Sequence, residues 1–158
     1  MSKRQIKIIL VSVIGLFTAI TVILYSSAWL WPELWGSYKL GKKLYLLSWD
    51  NNTSIIVYGT AVIGNTCHGG SYVIPSDTIG LTGEYVLDAV PFSNHIIVMS
   101  NLYTLNEKKY YLISKDYEKA DTISVDIIKN HIQPYADFIL FSNTCDSLGI
   151  SIPSSWKE

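Results

Sequence analysis

Between Ile8 and Ser27 the chain carries no charged residue. The longer apolar run that holds this stretch, IKIILVSVIGLFTAITVILYSSAWLW over residues 6–31, limits what the N-terminal part can become. A helix rises about 1.5 Å per residue, so about twenty residues span roughly 30 Å, the thickness of a bilayer's hydrocarbon core. Ser12, Thr18 and Thr21 fit such a span, because a helical hydroxyl can donate to a carbonyl one turn earlier. Tyr25, Trp29, Trp31, Trp35 and Tyr38 then form an aromatic cluster where a membrane–water interface would lie. A soluble surface helix would show an apolar stripe opposite a polar face, and this run has no polar face. The sequence predicts an N-terminal membrane anchor over residues 1–31.

A cleaved signal peptide is the competing reading, with a shorter apolar core and small residues at the cut. The run here is long, and bulky Trp29, Leu30 and Trp31 follow Ala28, which favours a retained anchor over cleavage after Ser27 or Ala28. No cysteine ends the run to accept a lipid. Lys3, Arg4 and Lys7 precede it, and Lys39, Lys42 and Lys43 follow it. The N-terminal trio is packed against the span with no acid among it, which favours a cytoplasmic N-terminus. The expected topology is single-pass, with the remaining domain periplasmic or at the cell surface. Setting Lys3, Arg4 and Lys7 aside from the twelve basic residues, and Glu33 from the thirteen acids, leaves residues 37–158 nine against twelve, a net charge of −3. All nine are lysines and form no basic stripe, so a nucleic-acid partner is not expected.

Residues 32–43, PELWGSYKLGKK, read as a juxtamembrane connector, and residues 44–158 as one extracytoplasmic α+β domain. Short β-type runs separated by turn residues occupy its first part: 43–49, 54–63, 71–75, 84–90, 95–100 and 109–114. They predict an antiparallel meander of about six strands, with DNNT at 50–53 and GNTCHGG at 64–70 as turns. The period then changes. Ile128, Ile132, Tyr135, Phe138, Ile139 and Phe141 fall near helical spacing, with Ser124 as N-cap and Asp126 in the first turn. Pro134 should split this segment into two short helices. The tail GISIPSSWKE is expected to pair briefly with the sheet or fray. The order YKL, IIV, SYVI and then YVL, IIV, YYLIS raises the question of a duplicated three-strand unit, although such short matches also arise by chance.

YKLG at 38–41, VIP at 73–75, HIIV at 95–98 and YYLISKD at 110–116 resemble a family of small bacterial envelope proteins of unknown function. In that family short strands follow a membrane anchor or lipoprotein signal, and a strand similar to YYIIDK closes the sheet. This chain differs in having Ser114 where the motif places an acid, and a plain apolar anchor in place of a lipidated cysteine. The resemblance implies a small β-rich envelope domain and brings no catalytic residue with it.

The chain has two cysteines, Cys67 and Cys145, each ending an Asn-Thr-Cys triplet. In an oxidising compartment they can form one disulfide, and otherwise they are two thiols. Cys67 is followed directly by His68, whereas paired zinc ligands normally sit two to four residues apart. His95 and His131 are isolated, and there is no HExxH, P-loop or GxSxG motif. No metal or cofactor is therefore expected. Tyr103, Tyr110, Tyr111, Tyr117 and Tyr135 should mostly pack the core, with a partner-binding patch as the lesser role. These features predict a non-enzymatic domain that binds a protein or another envelope component. An immunity-type protein that neutralises a toxin at the membrane is a variant of this reading. The alternative is a thiol- or metal-dependent hydrolase using Cys67 and His68.

Overall fold

The computed structural model describes residues 2–31, 35–48, 53–75, 83–103 and 105–157. The connector residues 32–34 and the turn expected at 50–52 lie outside them. Helix α1, Lys3–Leu30, starts at a capping box: Gln5 N–H donates to Ser2 Oγ, and Ser2 N–H to Gln5 Oε1. Thr18 and Thr21 donate to the carbonyls of Ile14 and Phe17, so their hydroxyls stay paired inside an apolar helix. Within Arg4–Leu30 the mean hydropathy reaches 2.6 over an unburied stretch of 18 residues, which makes the helix long and apolar enough to cross a bilayer.

The rest is α+β, built on an antiparallel sheet. Its strands are β1 (Ser37–Gly41), β2 (Leu44–Ser48), β3 (Ser54–Ile63), β4 (Thr66–Ile74), β5 (Glu84–Pro91), β6 (His95–Leu102), β7 (Glu107–Ser114) and β8 (Ile132–Tyr135). The order is β1-β2-β3-β5-β6-β7-β8, with β4 paired to β3 beside β5. Helix α2 (Val125–Lys129) precedes β8, and α3 (Phe138–Ser147) follows it.

Alternation along the strands shows how the sheet is used. On β6, Ile96 and Val98 enter one core cluster and Ile97 and Met99 another. On β2 and β3, Leu44 and Ile56 join the first cluster, while Tyr45, Ile55 and Val57 form a third with Cys67. One face of the sheet therefore carries a single core, closed by Ile128 of α2 and the fully buried Tyr117. The opposite face carries two. One lies under α3 and the tail, where Phe141 stacks between Tyr110 and Trp156. The other lies on β2–β4. Burial on both faces explains why IIV runs rather than strict alternation mark β3 and β6.

Four expectations need correction. Ser37–Gly41, inside the stretch read as a connector, is strand β1. Thr66–Gly70, read as a turn, belongs to β4, and only Gly64 and Asn65 turn the chain. The C-terminal segment does split into two helices, with Ser124 capping α2, but Ile132–Tyr135 between them is a strand. Pro134 fits there because β8 is an edge strand and needs few donors. Over its described residues, 149–157, the tail forms no strand and is packed in place. Its Trp156 is 1% exposed and donates its indole N–H to Asp88 Oδ2 at 2.8 Å. The two three-strand segments also differ: β5, β6 and β7 are neighbours, whereas β2 stands between β1 and β3.

Gly69 and Gly70 belong to the β3–β4 ladder, where the register shifts between Gly59 and Val62. A Cβ on Gly70 would lie 1.9 Å from the Tyr58 carbonyl oxygen, and one on Gly69 would meet nothing within 4 Å. Gly70→Ala should therefore cost about 2–3 kcal/mol in denaturant unfolding followed by tryptophan fluorescence. Gly69→Ala should stay within about 0.5 kcal/mol of the parent.

Candidate functional site: the junction of the apolar helix and the sheet

A helix leaves its last four carbonyls without intrahelical partners. In α1 these belong to Ser27, Ala28, Trp29 and Leu30. The Trp31 N–H takes Ser27 at 2.8 Å. Thr66 Oγ donates to the Ala28 carbonyl at 2.7 Å, and Asn65 Nδ2 to the Trp29 carbonyl at 3.0 Å. Asn65 of the β3–β4 turn and Thr66 at the start of β4 thus cap the end of the apolar helix. Thr66 is 0% exposed and Ala28 6%, so the first of these bonds is buried.

The turn itself is shaped for this contact. Gly64 has φ +61°, and a Cβ there would lie 2.4 Å from Trp29 Cδ1. The indole lies directly over the glycine, which supplies both the left-handed backbone and the close approach. One residue past Thr66, the Cys67 N–H donates to Ser37 Oγ at 3.0 Å, tying β4 to the start of β1. The segment GNTC therefore joins α1, β1 and β4 at one place.

Behind the junction is a cavity of about 260 Å³ lined by Trp35, Leu47, Val57, Cys67, Gly69 and Tyr72, among others. Cys67 is 1% exposed, and its thiol donates to the Gly69 carbonyl at 3.4 Å. Burial pushes this thiol above its ordinary value, only partly countered by the Gly69 bond. Burial also raises Tyr45 beside it, helped by Cys67. A Cβ on Gly59 would lie 3.1 Å from the Cys67 sulfur and 2.7 Å from the Tyr45 ring, so the thiol is packed tightly. His68 is exposed. The hydrolase expectation needs a base next to an activated thiol, and this environment favours the neutral thiol.

Cys145 lies elsewhere, on α3 at 0% exposure in the cluster with Phe141 and Trp156. Both cysteines are free, each filling a different core cluster, and the bridge allowed by the sequence is not formed. Among the described residues no three His, Cys, Asp or Glu side chains gather as metal ligands would. His131 bonds the Ile127 carbonyl through Nδ1 at 2.8 Å and meets Tyr117 edge-on. Of the tyrosines, Tyr110, Tyr117 and Tyr135 are core residues, and Tyr103 is 80% exposed. Of the interfacial aromatics, Trp29, Trp31 and Trp35 stand half exposed around the junction. Lys3 and Arg4 begin α1, with Lys7 one turn on.

In GNTCHGG the sequence marks Asn65 and Thr66 only as part of a repeated Asn-Thr-Cys triplet, not as the side chains that make this contact. Compared with known proteins, the chain matches no family model, no curated protein and no solved structure.

Two outcomes follow. Thr66→Val keeps the shape but leaves the Ala28 carbonyl unpaired, and should cost about 1–2 kcal/mol by denaturant titration, with Thr66→Ser largely neutral. The thiols should also make stability fall in alkali. Burial, with Asp146 nearby, pushes Cys145 up to about 11 from an ordinary 9.0, and burial raises Cys67. The unfolded chain then releases these protons first, so their contribution is complete below about pH 9 and lost as the pH rises toward 11. Cys145→Ala should flatten that part of the stability–pH curve.

Proposed function

We propose that this chain is a single-pass membrane-anchored envelope protein whose β-rich domain is a non-enzymatic binding module for a protein at the membrane surface. One observation carries the anchor: α1 is exposed from Arg4 to Tyr25 and buries only Ala28, at its junction with the sheet, while the three core clusters are built from other residues. Lys3, Arg4 and Lys7 supply the charge that would hold its N-terminus in the cytoplasm, leaving the sheet outside.

Support for a binding role comes from α3. Its inner side is anchored by Phe141 and Cys145, yet Ile139 and Leu140 are 70% and 60% exposed. An apolar pair facing outward on a well-packed helix suits contact with another protein. The enclosed thiols and the net charge of −3 add no reactive group to this picture.

Alkaline carbonate extraction of membranes from expressing cells should leave the full chain in the pellet, and release into the supernatant would refute the anchor. A photocrosslinker replacing Leu140 in the same membranes should give one discrete adduct. Its absence, with crosslinker incorporation verified, would refute binding through α3.

A further inference from the structure

The β3–β4 hairpin reaches past the body of the sheet. β2 covers β3 only as far as Tyr58, and from Thr60 to Ile63 the strand is exposed on both faces. Val62 and Ile63 are 37% and 53% exposed. From Ser54 to Pro75 there is no Asp, Glu, Lys or Arg. Projecting strands in soluble proteins are commonly protected by charge, particularly lysine, and this one has none.

Its position is set by the caps. Asn65 and Thr66 hold the turn to the carbonyls of Trp29 and Ala28, and Trp29 lies over Gly64. Ala28 is about 30 Å along the helix from Ile8, at about 1.5 Å per residue. If α1 spans a bilayer, the caps lie at the boundary between hydrocarbon and headgroups. Trp29 and Trp31, 50% and 56% exposed, are residues suited to that layer.

We infer that the β3–β4 hairpin is a second membrane contact, with Val62 and Ile63 seated in the lipid interface beside the end of α1. The partner is the bilayer that holds α1, so this inference rests on the anchor reading above. The uncharged hairpin, the exposed apolar tip and the direct hydrogen bonds to the helix end are separate observations that converge on lipid. A protein partner at this tip would have to share the space with the headgroups around α1.

The test uses the full chain in phosphatidylcholine vesicles carrying doxyl-labelled lipids, with an environment-sensitive fluorophore on one introduced cysteine at a time. The sites are Leu16→Cys in the span, Ile63→Cys at the tip and Asn94→Cys in the β5–β6 turn, and the parent chain measures labelling of the buried native thiols. Leu16→Cys should be quenched most by deep doxyl groups and Ile63→Cys by shallow ones, at least threefold more than Asn94→Cys. Quenching at Leu16→Cys without quenching at Ile63→Cys overturns the hairpin contact and leaves the anchor standing. No quenching at Leu16→Cys overturns the anchor itself. In an Asn65→Ala, Thr66→Val background, quenching at Ile63→Cys should fall by half or more. Unchanged quenching there would show that the caps do not hold the tip in place.

Discussion

The carbonyls of Ser27, Ala28 and Trp29 at the end of α1 are satisfied, and two of those bonds come from side chains 36 and 38 residues further along the chain. An unpaired buried carbonyl costs about 1–3 kcal/mol, so the end of α1 and the β3–β4 turn are worth more together than apart. Much else follows from this contact. It puts Gly64 under Trp29, leads Thr66 into Cys67, and through Ser37 draws the start of β1 onto β4. The apolar helix is thereby joined to the sheet by hydrogen bonds as well as by the intervening chain.

The sheet can serve as this platform because both of its faces are filled. One continuous core joins strands from β1 to β7, and the opposite face is shared between the α3 cluster and the smaller cluster around Cys67. Buried polar groups support the same frame. Ser100 Oγ and Tyr111 OH both donate to Glu84 Oε1, at 2.6 and 2.5 Å, so a mostly buried carboxylate is held by hydroxyls. The Glu118 carboxylate accepts from Lys42 N–H at 2.7 Å and fixes the β1–β2 turn.

What could be read from the sequence depended on how local each signal was. The apolar helix, the IIV strands and the Ser124 cap are set by neighbouring residues, and all were legible. The first half of β4 was not. Its glycines read as a turn, but Gly70 is a glycine because the Tyr58 carbonyl passes too close for a side chain, a fact of strand pairing. β8 was hidden because Ile128, Ile132 and Tyr135 keep helical spacing across a strand. The shared Asn-Thr-Cys triplet suggested a staple, but a repeated triplet holds no information about distance, and the cysteines fill different cores. Asn65 and Thr66 were invisible as caps because their acceptors belong to a distant element.

The Asn65 and Thr66 caps and the Trp29–Gly64 contact predict that the apolar helix and the sheet move as one body. Double electron–electron resonance on the full chain in nanodiscs measures this directly, with spin labels at Phe17 on α1 and Asn94 on the sheet, both exposed. A docked junction predicts a single narrow distance distribution that broadens when Asn65 and Thr66 are replaced by Ala and Val. A distribution already broad in the parent chain, and unchanged by those replacements, would contradict it.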